Sequence, residues 1–287
     1  MSRGDRVTTA GNLSHSMRDN YNEHGVGEYY KKVGSIYRNP HFPGVRHCLF
    51  TWLDKWWKFS AESAELPGEL LFFDMACGSG EATTVFIEWC QMGRRLYELS
   101  RTEGRDAVAV PSNQNLPIPK RRALLAAPAL GPQFPIPKVI ATDPYTSAAF
   151  VERTGLPCSS FSFHDIAEGS LPGDVSYIFP SQAPEGQMQR ADDVDSSSGM
   201  PVVEMVVCSF ALHLVESPSE LFSLLWELST KARWLVVLAP HKKPEIKEGW
   251  GWSKWNVDTW SEASMNDHAG EILHERVHCR AYRSMNF

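Results

Sequence analysis

The stretch Leu70-Leu71-Phe72-Phe73-Asp74-Met75-Ala76-Cys77-Gly78-Ser79-Gly80-Glu81 decides the fold. Its first four residues form a continuous apolar run, the pattern of a strand buried on both faces and hence of a parallel sheet. Gly78 and Gly80 follow at once, and glycine lets a backbone turn sharply and approach a ligand closely. From Glu81 to about Tyr97 apolar residues recur at helical spacing. Strand, glycine turn and helix in this order open a doubly wound α/β domain.

The same alternation continues downstream. Lys138 to Thr142 reads as a strand ending at Asp143, Ser147 to Thr154 as a helix, and Ser160 to Phe163 as a third strand before Asp165-Ile166. Val202 to Cys208 is a further strand, Ser219 to Thr230 a helix and Arg233 to Leu238 a fifth strand, while Ile272 to Ser284 has room for one or two more. Parallel strands need crossovers, so the expected fold is a three-layer αβα Rossmann-like domain with a mostly parallel sheet. Upstream, Val45, Leu49, Trp52, Leu53 and Trp56 repeat every three to four residues and predict a helix with one buried face, after breaks at Asn39-Pro40 and Pro43-Gly44. The chain thus divides into a flexible tail (1–27), an N-terminal helical cap (28–66) and a main domain (67–287). Two polar or proline-rich insertions interrupt that domain, at 98–137 and 180–200.

Composition narrows the class. The 287 residues are 43% hydrophobic and 22% charged, ordinary for a globular protein. No apolar run is long enough to cross a bilayer, and residues 1–20 lack the apolar core of a secretory signal. Arg3, Arg6 and Arg18 hint at a transit peptide, but Asp5 and Asp19 lie among them, and a cytoplasmic location with a nuclear alternative is expected. The six cysteines are scattered without zinc spacing, which predicts free thiols and no metal. The net charge of −6 is uneven: residues 94–138 hold eight Lys/Arg against three Asp/Glu, whereas residues 139–230 hold two against thirteen. Such asymmetry can guide an acidic partner or can be solvated surface.

In an open parallel sheet, ligands bind beyond the carboxyl ends of the strands where strand order reverses. The candidate cofactor-binding residues stand at four such ends. They are Asp74, Ala76, Cys77, Gly78 and Gly80 after the first strand, Asp143 and Pro144 after the second, Asp165 and Ile166 after the third, and Ser209 and Phe210 after the fourth. An acid at the position of Asp143 can accept hydrogen bonds from two ribose hydroxyls. The alternative is that the glycines only make a tight turn and Asp143 caps the next helix.

These residues carry a family resemblance. Leu71 to Gly80 resembles the first motif of class I S-adenosylmethionine-dependent methyltransferases, Asp-x-Gly-x-Gly-x-Gly after an apolar strand, with Ala76 at the first glycine. Val139-Ile140-Ala141-Thr142-Asp143 is similar to the second motif, whose acid holds the cofactor ribose. Phe163-His164-Asp165-Ile166 is similar to the third, where the acid and its apolar neighbour contact adenine. Val203 to His213 resembles the fourth, with Glu204 in the place of a frequent Asp. The resemblance covers about residues 70–240. It implies S-adenosylmethionine as cofactor and a methyltransferase moving a methyl group to an O or N nucleophile.

The rival reading is a nicotinamide-dependent oxidoreductase, whose Gly-x-Gly-x-x-Gly fingerprint fails because Thr83 stands at the third glycine. A non-catalytic cofactor-binding or scaffold module of the same fold is a further alternative. Methyl transfer asks mainly for alignment and exclusion of water, because the sulfonium is already activated. Where a base is needed, His213 is the candidate catalytic residue, against a structural role in its loop. Candidate substrate-binding residues are Tyr29, Tyr37 and His41 in the helical cap, against plain packing on the sheet. Trp250 and Trp252 are others, from a run with Trp255 and Trp260 that could equally be an apolar plug. His241-Lys242-Lys243 could hold an anionic group or face solvent. An Asn/Asp-Pro-Pro-Tyr/Phe signature is absent, with Cys208-Ser209-Phe210-Ala211 in its place. A small-molecule acceptor is favoured, with RNA or an acidic protein as alternatives, no membrane partner, and no inference on oligomeric state.

Overall fold

A computed structural model describes residues 38–62, 67–103, 125–182, 202–240 and 242–287. In chain order the elements are α1 (Phe42–Ser60), β1 (Glu69–Met75), α2 (Glu81–Glu103), β2 (Ile136–Thr142), α3 (Ser147–Thr154), α4 (Phe163–Ala167), β3 (Ser176–Tyr177) and β4 (Val203–Ser209). They continue with α5 (Pro218–Ser229), β5 (Ala232–Ala239), β6 (Trp252–Asn256), β7 (Ser261–Ala263), β8 (Ile272–His274) and β9 (Val277–Ser284). The sheet runs β3-β2-β1-β4-β5-β9-β6-β7, with β8 paired to β9. Strands β2, β1, β4 and β5 are parallel neighbours, and β3, β9, β6 and β7 are antiparallel additions on either side. The chain reverses its direction of travel across the sheet between β1 and β4.

Alternation along β1 builds two cores. Leu70 and Phe72 enter a cluster with α1 and α2, whereas Leu71 and Phe73 enter one with α5. Both faces of β1 are therefore dry, as the unbroken apolar run requires. The sandwich is a three-layer, Rossmann-like αβα domain.

Val45, Leu49, Trp52, Leu53 and Trp56 of α1 are all fully buried, packed against Phe72, Val207 and Val236. This helix is thus one layer of the sandwich rather than a separate cap, and the predicted break at Pro43-Gly44 is its first turn, where proline needs no donor. Gly44 is required there: a Cβ would stand 2.5 Å from a methyl of Val277.

Two further expectations are corrected. Ser160 to Phe163 is not a strand: β2 receives only an isolated parallel bridge between Thr142 and Ser159, and Ser162 then caps α4. The third ladder position is taken by β3, antiparallel to β2. The first insertion is shorter than 98–137, because α2 continues to Glu103 and β2 begins at Ile136. Most of the second, residues 183–200, and the tail 1–27 lie outside the described residues. Among the described residues no helix is long and apolar enough to cross a membrane, no cluster of three metal-ligating side chains occurs, and all six cysteines are free.

Candidate active site

The residues that follow β1, β2 and β4 surround one cavity of about 320 Å³. Its wall includes Ala76, Cys77 and Gly78 from the first turn, Asp143 and Pro144 from the second strand end, Ile166 from α4, and Ser209 and Phe210 from the fourth strand end. The cavity therefore stands at the switch between β1 and β4, where such a fold offers its ligand crevice. Apolar faces from Phe161, Phe163, Phe210 and Leu214 make up much of the remaining wall.

The turn after β1 is held in left-handed conformations at Ala76 (φ 54°), Gly78 (φ 60°) and Gly80 (φ 84°). Gly80 also permits contact with α3, since a Cβ there would meet Thr154 Cγ2 at 2.6 Å. Ala76 pays about 1–2 kcal/mol for a conformation that glycine adopts freely. Asp143 locks the turn: its Oδ2 accepts from Gly78 N (3.1 Å), and its Oδ1 accepts from Tyr145 N (2.9 Å) and Thr146 N (2.8 Å). A carboxylate has about four acceptor positions. Three are used by the main chain, which leaves about one open.

Asp74 is placed differently from the sequence expectation. It is fully buried and is not on the cavity wall. Its Oδ2 accepts from the main-chain N (3.0 Å) and hydroxyl (2.7 Å) of Thr83, while Oδ1 has no partner among the described residues. Burial pushes its carboxyl up to about 7, against the opposing hydrogen bonds from Thr83, with Glu81 and Asp143 adding to the rise. Thr83, at the position of a third glycine in a nicotinamide site, is thereby committed to holding the start of α2 on β1.

Asp165 also turns away from the cavity. It closes a reciprocal cap with Ser162, accepting from Ser162 N (2.8 Å) and Oγ (2.6 Å), and these bonds hold its carboxyl below the usual range. Its neighbours Ser162, Phe163 and His164 reach the wall instead. His213 lies in a single 3-10 turn (Leu212–Leu214) from which Leu214, not His213, lines the cavity. Glu204 is at the opposite end of β4, accepting the indole N–H of Trp56 (3.2 Å) and standing 3.5 Å from Arg233 Nε.

Trp252 is a core residue, 1% exposed, with its indole N–H donated to Leu225 O (2.7 Å). Trp250 packs edge-on to Phe222 of α5. Neither is on the cavity wall, and Trp255 and Trp260 join Trp52 and Trp234 on the other face of the sheet. Antiparallel strand geometry separates them: alternate residues of one strand face opposite layers. Tyr29, Tyr37 and His241 lie outside the described residues.

His41 precedes α1 and stacks on Phe210, ring centroids 5.2 Å apart and planes 14° from parallel. Phe210 itself holds φ 58°, a strained backbone for an aromatic residue on a cavity wall. Burial, and then the nearby Arg276 charge, lower the His41 pKa from its ordinary value.

The cavity also uses residues absent from the sequence-derived set. Glu81 Oε1 accepts from Asn39 N (3.2 Å), Ser79 Oγ (2.7 Å) and Arg153 Nη1 (3.0 Å). This buried junction ties the entry to α1, the glycine turn and α3 together. The only sequence signal for it was an acid at the first turn of α2, where a helix dipole favours negative charge. Ser209, one of the residues that the sequence did point to, contributes a hydroxyl buried beside the cavity with no hydrogen-bond partner among the described residues.

No family model matches the chain. Among solved structures it is similar to magnesium protoporphyrin IX methyltransferase of Synechocystis PCC 6803 with bound SAM (11% identity, 92% of both chains, TM-score 0.38). It is also similar to N-methyltransferase NodS of Bradyrhizobium japonicum WM9 in complex with S-adenosyl-L-homocysteine (9% identity, 86% of this chain and 89% of that one, TM-score 0.32). At such scores these likenesses carry no argument. The uncharacterized protein C17A5.05c of Schizosaccharomyces pombe is 40% identical over 275 residues, which span 96% of this chain and 94% of the yeast protein. Identity at that level along almost the whole length means that the chain belongs to the same protein family as C17A5.05c.

Proposed function

We propose that the protein is an S-adenosylmethionine-dependent methyltransferase acting on an O or N nucleophile, with a small molecule as the favoured acceptor. One observation carries this reading: the Ala76–Gly80 turn, Asp143 and Ser209 close on a single cavity at the β1/β4 switch. The cavity's residues fit the cofactor. Its volume of about 320 Å³ is within the range of small-molecule sites. The spare acceptor position of Asp143 suits a ribose hydroxyl, the aromatic and aliphatic faces of Phe161, Phe163 and Ile166 suit adenine, and the unpartnered Ser209 hydroxyl supplies a polar contact. When bound, S-adenosylmethionine supplies an activated methyl group. The chain's own residues bind and orient: Asp143 fixes the glycine turn, and Phe210 with His41 forms an aromatic edge that excludes water.

A second reading, a cofactor-binding module without turnover, is favoured by the place of His213, which is not on the cavity wall. Incubation with labelled S-adenosylmethionine and fractionated cell extract separates the two. Label in a small-molecule fraction supports the first reading. Label in RNA or protein moves the acceptor class, and tight cofactor binding with no labelled fraction supports the module. Calorimetry showing no binding of S-adenosylmethionine or S-adenosylhomocysteine, or binding of a nicotinamide dinucleotide instead, overturns both.

A further inference from the structure

A second cavity, of about 630 Å³, lies among the loops that follow β5 and β7 and the strands β6 and β9. Tyr282 of β9 is in register with Lys254 of β6, and Arg280 is two residues away on the same face. Such diagonal neighbours are close enough for long side chains to converge. Arg280, Lys254 and Tyr282 are 4%, 3% and 2% exposed, and all three wall the cavity.

The charges there do not balance. Lys254 Nζ donates to Glu271 Oε1 (2.6 Å) and to the carbonyl of Asp267, which leaves one of its three N–H groups. Glu271 is further shared with His268 Nδ1 (3.1 Å) and stands 3.8 Å from His278 Nδ1. Arg280 has no carboxylate within 4.0 Å among the described residues. Its Nη1 donates to the carbonyls of Lys242 and Pro244 (both 2.8 Å), its Nη2 to that of Lys243 (3.1 Å), and its Nε–H has no acceptor among the described residues. At the rim Lys242 and Lys247 are matched by Glu245 and Glu248. Among the described residues the buried layer therefore holds two cations, Arg280 and Lys254, against one anion, Glu271. A buried charge without a counter-charge is costly, and an arriving anion removes the cost.

We propose that this cavity binds a small anion, a carboxylate- or phosphate-bearing molecule, through Arg280 and Lys254. The three carbonyls fix the guanidinium in advance, so little side-chain freedom is lost on binding. The site shares no lining residue with the cavity at the β1/β4 switch and does not depend on a cofactor binding there.

The test is calorimetry and thermal unfolding of the full chain with inorganic phosphate and with acetate, each against chloride at matched ionic strength. Saturable stabilisation by either probe above chloride is expected; phosphate alone assigns a phosphate ligand, and acetate alone a carboxylate. Glu271→Gln removes the buried negative charge and should tighten binding by about tenfold, the scale of one charge-assisted hydrogen bond. Lys254→Met should weaken it by a similar factor. If Lys254→Met fails to fold, Glu271→Gln still decides. A response to both probes no greater than to chloride, or an affinity unchanged in Glu271→Gln, overturns the proposal.

Discussion

Thr83 gives both its main-chain N–H and its hydroxyl to a single oxygen of the buried Asp74 carboxylate, at 3.0 and 2.7 Å. The pair joins the end of β1 to the first turn of α2. Replacing the hydroxyl in Thr83→Val leaves the carboxylate with one donor in a dry site. A loss of about 1–3 kcal/mol is expected in urea unfolding at neutral pH, with an unchanged midpoint refuting the role.

The same carboxyl should imprint a pH dependence on stability. Its folded pKa of about 7 lies above the ordinary 3.8. Between those values the folded state holds the proton and the unfolded state does not, so stability falls as pH rises from about 4 to about 7. Asp54, raised to about 6 by burial against its bond from Trp89, acts in the same direction over a narrower window. Asp74→Asn should flatten the Asp74 part of this slope, read from urea midpoints at several pH values. An identical slope in the variant would count against a buried, protonatable Asp74.

Ala76 occupies a backbone conformation with φ 54°. Ala76→Gly should relieve about 1 kcal/mol of strain, offset in part by the greater freedom of glycine in the unfolded chain. Thermal unfolding should show a variant as stable as the parent or slightly more so. A marked drop in melting temperature would show that the Ala76 methyl contributes packing that outweighs the strain.

Asp143→Ala removes the acceptor of three main-chain N–H groups. Loss of about 1–3 kcal/mol of stability is expected, together with at least roughly tenfold weaker S-adenosylhomocysteine binding by calorimetry. Asp143→Asn retains an acceptor for part of the set and should fold better than the alanine variant while still binding more weakly than the parent. Unchanged affinity in both variants would remove Asp143 from the site.

Arg276 lies close enough to His41 to lower its pKa, after burial as the larger cause. In Arg276→Ala the imidazole should titrate nearer 6.5, as followed by NMR. No movement of the His41 titration would place the hairpin tip away from the aromatic edge formed with Phe210.

Much of the architecture was legible because it is written in local periodicity. The run Leu70–Phe73, the α1 repeat from Val45 to Trp56 and the helix at Ser147–Thr154 all announce buried faces through neighbours in sequence. The segment Ser160–Phe163 misled because Ser162 can satisfy backbone groups with its side chain, which competes with strand pairing. At the site, positions that meet the cavity through their backbone, such as Ala76, Cys77 and Gly78, follow from the strand-end rule. The direction of a carboxylate does not follow from it: Asp74 and Asp165 turn to the nearest N–H donors. Contact between Asn39 and Glu81 spans 42 residues, and the acid at the first turn of α2 does not by itself name its distant partner.

The placement of β9 sets an order on assembly. Strands β6 and β7 join the sheet only through β9, which itself pairs with β5. During synthesis residues 252–263 emerge from the ribosome ahead of the strand they dock on, and β5 is left as an open edge until residues 277–284 follow. A nascent chain of this protein therefore carries an unfilled slot in its sheet, with tryptophans 252, 255 and 260 waiting beside it, until that closing strand is delivered.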